Sequence, residues 1–226
     1  MISADAVHAG QPAYKGWILT WVYDALVLGF SNHVLWKCPT AGLLDLYNAN
    51  VTSNHLDVGV GTGYYLDRCR FPDAEPRLAL MDLNENSLFC AAKRAARYRP
   101  ETIRCNALKP IPFDGPGFDS VGVMYLLHCL PGSMADKAVL FDHLRPLMNA
   151  GAVLFGATIV QGSAPRGAAA QRLMDLYNSE GIFSNRQDTV EALEHELGKR
   201  FPRRDIALVG CVAVFRAFAD GNLIGR

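Results

Sequence analysis

From about residue 51 onward, short apolar runs alternate with longer amphipathic stretches. Runs of strand length fall near 55–59, 77–82, 101–105, 118–125 and 151–158, and a close final pair falls near 203–209 and 211–217. Between them, apolar residues recur at helical spacing near 63–70, 84–98, 133–148, 165–180 and 187–200. Upstream, 14–30 reads as a helix ended by Gly29 or Ser31-Asn32. Residues 40–50 read as a second, opened by Pro39-Thr40, with Leu43, Leu44, Leu46 and Tyr47 as its apolar positions. Strand-helix alternation predicts a parallel sheet covered on both faces. The last two strands, joined around Gly210, suit an antiparallel hairpin. The expectation is one α/β domain over 1–226, with 1–50 as a helical cap and 51–218 as the core. There is no internal repeat and no low-complexity tract.

One junction in this pattern carries chemistry. Leu56-Asp57-Val58-Gly59-Val60-Gly61-Thr62-Gly63 reads as a buried strand entering a glycine turn that opens a helix. Glycines at alternate positions let the backbone approach a ligand closely, because no Cβ intervenes. Helix-start amides add a small positive field, which suits a polar or anionic group. Nineteen residues after Gly63, the next strand ends on Asp82. A carboxylate at such a strand tip can accept both hydroxyls of a ribose diol. Nicotinamide enzymes use the same device, but their third glycine stands one place later, so the spacing here speaks against them. In such sheets ligands bind at the carboxyl ends of the strands, where one pocket can collect Gly59–Gly63, Asp82, Asn106 and Tyr125–His128.

Composition narrows the partners. The chain has 226 residues, 22 Lys plus Arg against 22 Asp plus Glu, and half its residues are hydrophobic. That suffices for one substantial core. A balanced charge argues against a nucleic-acid substrate, whose phosphates reward a basic face. Trp17–Phe30 is strongly apolar but too short to span a bilayer, and Met1–Gln11 does not read as a signal peptide, so a cytoplasmic protein without membrane contact is expected. The six cysteines show no Cys-x-x-Cys spacing and read as small buried hydrophobes in a reducing compartment, with no metal site. The basic clusters Lys93, Arg94, Arg97, Arg99 and Lys199, Arg200, Arg203, Arg204 read as solvated faces.

The glycine turn and Asp82 are followed by three further pieces. These are Cys105-Asn106-Ala107-Leu108 with Ile111-Pro112-Phe113, then Phe118-Asp119-Ser120-Val121-Gly122-Val123-Met124-Tyr125-Leu126-Leu127-His128, then Leu144-Arg145-Pro146-Leu147-Met148-Asn149-Ala150-Gly151 and a strand through Phe155. In order and spacing, from about residue 50 to 216, the chain resembles the class I S-adenosylmethionine-dependent methyltransferases. The resemblance implies a Rossmann-like three-layer sandwich around a mostly parallel seven-stranded sheet with its last strand reversed. It implies S-adenosylmethionine as cofactor, leaving as S-adenosylhomocysteine. The cofactor residues would be Asp57, Gly59, Gly61, Gly63, Asp82, Leu83, Asn106 and Ala107. Asn106 stands where the family often has Asp, and its carbonyl oxygen can keep the adenine contact. Asn149-Ala150-Gly151 replaces the usual Pro-Gly-Gly at a turn remote from the chemistry.

Tyr23-Asp24, Ser31-Asn32 and Trp36 are similar to the N-terminal segment of the ubiquinone/menaquinone-type small-molecule methyltransferases, where that segment closes over the cofactor. This makes Tyr23 and Trp36 cofactor or acceptor contacts and the first helices a lid. A helix simply packed on the sheet is the plainer alternative. His128 is the candidate catalytic group, as a base or as an acceptor-orienting residue, and Tyr125 lines the cofactor or acceptor. Gln161–Pro165, Leu173–Tyr177 and Gly181–Asn185 form the other expected wall, apolar enough for a small, partly apolar acceptor. Met124-Tyr125-Leu126-Leu127 stands where exocyclic-amine nucleic-acid enzymes of the family carry Asn/Asp-Pro-Pro-Tyr/Phe. The expected function is methyl transfer to a small molecule of specialised metabolism, with a homodimer left open. A non-catalytic cofactor-binding subunit and, behind it, a nicotinamide oxidoreductase are the alternatives.

Overall fold

A computed structural model describes residues 31–162 and 166–220. Within them, seven strands form one sheet: β1 (Asn54–Val58), β2 (Arg77–Asp82), β3 (Glu101–Arg104), β4 (Phe118–Met124), β5 (Met148–Ile159), β6 (Arg204–Val209) and β7 (Val212–Phe218). Their order is β3-β2-β1-β4-β5-β7-β6. Pairing is parallel from β3 to β5, and β7 runs antiparallel to both of its neighbours. The reversed last strand and the terminal hairpin are therefore as expected. Gly210 turns the hairpin at φ 58°, and a Cβ there would meet the Trp36 carbonyl oxygen at 2.1 Å.

The helices are α1 (Thr40–Asn50), α2 (Tyr64–Arg68), α3 (Glu85–Arg94), α4 (Met134–Lys137), α5 (Val139–Leu144), α6 (Ala168–Ser179) and α7 (Val190–Gly198). Period-two alternation in the strands sorts side chains into two cores. Leu78 and Leu80 of β2 join Leu43, Leu66, Leu88 and Met174 from α1, α2, α3 and α6. Ala79 and Met81 join Leu140, Phe141, Leu193 and Leu197 from α5 and α7. These are the two faces of a three-layer sandwich.

The structure departs from the expected elements where local chemistry intervenes. The helix expected over 133–148 starts at Ser133, whose side chain and Asp136 make a capping box. It then divides at Ala138 into α4 and α5 and closes in a 3-10 turn at Arg145–Leu147, where Pro146 can supply no backbone donor. Asn149, Ala150 and Gly151 belong to β5 rather than to a turn before it. β4 stops one residue short, at Met124, because Tyr125 adopts φ 57°. Only Cys38, Cys69 and Cys211 are buried; Cys129 is exposed, so reading all six as buried hydrophobes is corrected.

Neither basic cluster is a plain solvated face. Half-buried Arg94 donates to Thr62 Oγ1 at 3.2 Å, and Arg200 pairs with both Asp142 and Glu196. The helix expected over 14–30, with Tyr23, Trp17 and Trp21, lies outside the described residues, as do Ser163–Pro165. Among the described residues, no helix is long and apolar enough to cross a membrane, and no cluster of acidic, histidine or cysteine side chains could hold a metal ion.

Candidate active site

The strand order reverses between β1 and β4, so the loops leaving their carboxyl ends diverge and leave a crevice. A cavity of about 290 Å³ opens there. One half is built from the ends of β1, β2 and β3. Gly59, Gly61 and Gly63 all take positive φ, at 72°, 51° and 73°, which explains why glycine recurs at alternate positions. Their spacing also sets packing. A Cβ on Gly59 would meet Leu126 Cδ1 at 2.8 Å, and one on Gly63 would meet the Ala91 Cα of α3 at 2.7 Å.

Asp82, Leu83, Asn106 and Ala107 line the same half. Asp82 Oδ1 accepts the Asn84 N–H at 2.8 Å. Burial nevertheless pushes its carboxyl up to about 6, against the opposing pull of backbone amides at Asn84, Gly61 and Leu83. Asn106 Oδ1 already accepts the Leu108 N–H at 2.9 Å, so its oxygen has one lone pair left for a ligand. The Ala107 carbonyl lies 3.2 Å from His143 Nδ1.

Beneath the glycine turn lies a buried polar chain that the sequence pattern did not reveal. Tyr47 Oη lies 2.8 Å from His55 Nε2 and donates to Asp57 Oδ2 at 2.5 Å. His55 Nδ1 lies 2.8 Å from Ser120 Oγ, which accepts the Thr52 N–H at 2.9 Å. Donor and acceptor bookkeeping then fixes one direction. With the Tyr47 O–H donating to Asp57, the Tyr47 oxygen accepts from His55 Nε2–H. Burial and the neighbouring Asp57 hold the Tyr47 hydroxyl well above its ordinary range, so it stays a donor. Gly122 leaves room for this chain, since a Cβ there would stand 3.3 Å from Asp57 Oδ2. Tyr47 occupies an apolar position of α1, and nothing in its spacing separates it from a core aromatic.

The other half of the cavity is lined by Trp36, Tyr125, His128, Leu130, Ile159, Tyr177, Ile182 and Phe183. These come from five separate stretches of chain, and none is charged. The Phe183 ring stands edge-on to His128 at 4.5 Å and to Tyr177 at 4.9 Å, and Trp36 lies 6.4 Å away. Tyr125 is held in the left-handed region, with its hydroxyl donating to Asn32 Oδ1 at 3.0 Å. That bond ties the end of β4 to the segment carrying Trp36.

His128 is buried, and its Nδ1 accepts the Ile159 backbone N–H at 3.3 Å, with Thr158 Oγ1 at the same distance. A backbone N–H can only donate, so the neutral ring carries its proton on Nε2. Burial, with Lys137 nearby, pushes the imidazole down to about 3. The structure thus gathers every expected site residue among those it describes; Tyr23 lies outside.

The Methyltransferase domain family matches this chain over residues 56–155, from β1 into β5. The chain is 38% identical to a demethylluteothin O-methyltransferase of Streptomyces thioluteus, across 92% of this chain and 90% of that protein. It is 37% identical to a physcion biosynthesis cluster O-methyltransferase of Aspergillus chevalieri, across 87% and 89%. In fold it is similar to the N-methyltransferase NodS of Bradyrhizobium japonicum WM9 in complex with S-adenosylhomocysteine, with a TM-score of 0.61 at 15% identity, covering 95% of this chain and 98% of that one. With two relatives above 30% identity over nearly full length and the fold in agreement, the chain belongs to the S-adenosylmethionine-dependent methyltransferases.

Proposed function

We propose that this methyltransferase acts on a small, partly apolar molecule of specialised metabolism and transfers the methyl group to an acidic enol or phenol oxygen. The observation that carries this reading is the change of character along one cavity, from amides and carboxylates to aromatic rings without a charged side chain. The names of the two O-methyltransferase relatives favour oxygen.

The residues fit the cofactor. Asp82 is an acid raised by burial at the edge of a cavity, a strain that two ribose hydroxyls would relieve. Bound S-adenosylmethionine supplies a methyl group already activated on a sulfonium. Asp82 receives the ribose, Leu83, Asn106 and Ala107 flank the adenine, and the amides of Gly59–Gly63 hold the methionine end. Asp57, fixed by Tyr47, orients that loop. Trp36 belongs to the wall that excludes water. Tyr125 is a positioning residue, since Asn32 occupies its hydroxyl.

Of the two roles open to His128, we assign the orienting one. Its Nδ1 is taken by the Ile159 N–H, so the ring proton sits on Nε2, which can donate and cannot accept a proton. A hydroxyl oriented by such a donor must be acidic enough to release its proton to solvent, and the N–H would then stabilise the oxyanion as the nucleophile toward the methyl group that S-adenosylmethionine would supply. The free cysteines suit a reducing compartment, and we place the enzyme in the cytoplasm.

The test combines calorimetry with a transfer assay. S-adenosylmethionine and S-adenosylhomocysteine should bind, and NADH should not. Transfer to 4-hydroxycoumarin and 1-naphthol should exceed transfer to benzyl alcohol, with a pH profile that moves with each acceptor's own ionisation. A limb shared by every acceptor at saturating S-adenosylmethionine and removed by His128→Ala would make His128 the base, and transfer to benzyl alcohol alone would overturn the acidic-hydroxyl reading.

A further inference from the structure

Lys137 and Asp188 take no part in the cavity, yet both side chains are buried, at 0% and 1% exposure. Lys137 Nζ donates to Asp188 Oδ2 at 2.5 Å and to the Ser184 carbonyl at 2.7 Å. Ser184 N–H in turn donates to the His128 carbonyl at 2.8 Å. The Asp188 carbonyl accepts the Gln161 N–H at 2.6 Å. One ammonium on α4 therefore gathers the loop after α6, the 3-10 turn that bears His128, and the end of β5. The gathered loop carries Ile182 and Phe183 into the acceptor half.

We propose that the buried Lys137–Asp188 pair positions the acceptor wall, holding loop 181–188 so that Phe183 seats the His128 ring. The proposal rests on the acceptor reading given above and adds to it the residues that set its geometry.

The energetics point the same way. Taking both charges out of water is costly, and an apolar pair of similar volume is often no less stable, so stability is a weak reason for such a pair. Burial pulls Lys137 down and Asp188 up, each opposed by the other's charge, and Asp188 Oδ1 is buried with no partner among the described residues. What the pair gives that an apolar pair cannot is direction: an ammonium aimed at one carbonyl fixes where Ser184, and so Phe183, must lie. Burial first, and this ammonium second, oppose a positive charge on His128.

The experiment compares wild type with the double variant Lys137→Met/Asp188→Leu, with S-adenosylhomocysteine bound. Ring-to-ring nuclear Overhauser contacts between His128 and Phe183 are measured in protein with labelled His and Phe. Transfer from S-adenosylmethionine to 4-hydroxycoumarin is measured alongside. The expected result is a fold that still binds S-adenosylhomocysteine within about twofold, loses the His128–Phe183 contact, and shows a KM for 4-hydroxycoumarin raised about tenfold with kcat less affected. An intact contact and an unchanged KM would overturn the proposal.

If the double variant binds no S-adenosylhomocysteine, Asp188→Asn, which keeps the shape but not the charge, decides. A weakened ring contact in that variant supports the proposal, and a wild-type contact overturns it. The ring contact needs no acceptor, so wild type that fails to methylate any probe would sink the acceptor reading while leaving this measurement decisive.

Discussion

The two halves of the cavity are built on different principles. The cofactor half is made by backbone: three glycines at positive φ, amides at the start of α2, and single acids at the tips of β1 and β2. The acceptor half is made by side chains from stretches around residues 36, 125–130, 159, 177 and 182–183, all of them ordinary apolar or aromatic residues. The first is written into loop geometry, where each residue type is dictated locally. The second is written into which side chains the fold brings together, where many residue types would fill the space.

That contrast can be tested by damaging one half and reading the other. The largest effect is expected from Gly63→Ala. A left-handed φ costs a side chain about 1–2 kcal/mol, and the new Cβ would meet the Ala91 backbone at 2.7 Å, so chemical denaturation should show a loss of about 2–4 kcal/mol.

Asp82→Ala comes next, weakening S-adenosylhomocysteine binding by about 1–3 kcal/mol in calorimetry; an unchanged dissociation constant would sink the ribose assignment. The same carboxyl should make binding pH-dependent. Its ordinary value of 3.8 is raised to about 6, so the ionised form that accepts the ribose is lost as pH falls through 6, and affinity at pH 5 should drop about tenfold. Stability runs the other way. Because the folded state holds this proton more tightly than the unfolded chain, this carboxyl's contribution to the stability of the ligand-free protein should grow as pH falls from above 6 towards 4, read as the difference between wild type and Asp82→Ala.

A smaller effect is expected from Tyr47→Phe, which strands His55 Nε2–H and Asp57 Oδ2. Stability should fall by about 1–2 kcal/mol, with weaker cofactor binding and no change in acceptor preference. At the far end, His128→Ala should leave cofactor affinity within about twofold while slowing transfer to 4-hydroxycoumarin. Equal damage to both quantities would mean that the two halves are not separable.

Much of the frame was legible in the sequence. The order of strands and helices, the terminal hairpin, the glycine turn and Asp82 follow from period, turn chemistry and strand-tip position. The misplacements have local causes. Pro146 ended a helix that its apolar period would have continued, and Tyr125 leaves its strand at a left-handed φ, with its hydroxyl bonded to Asn32. Tyr47, His55, Lys137 and Asp188 were not legible as a group. Tyr47 and His55 are eight residues apart in sequence, Lys137 and Asp188 fifty-one, and each pair acts only through a partner that another element supplies.

By itself, then, the sequence determined the α/β frame and the glycine turn with its neighbouring acid, because both depend on interactions within a few residues: backbone freedom at glycine, alternation in a strand, an acid at its tip. Only the tertiary structure decided which nitrogen of His128 carries the proton, which ring Phe183 meets, and how Asp57 is kept in place. Those outcomes depend on hydrogen-bond partners and burial contributed by β5, α1, α4 and the loop after α6, and a linear pattern of residue types does not encode which distant groups will meet.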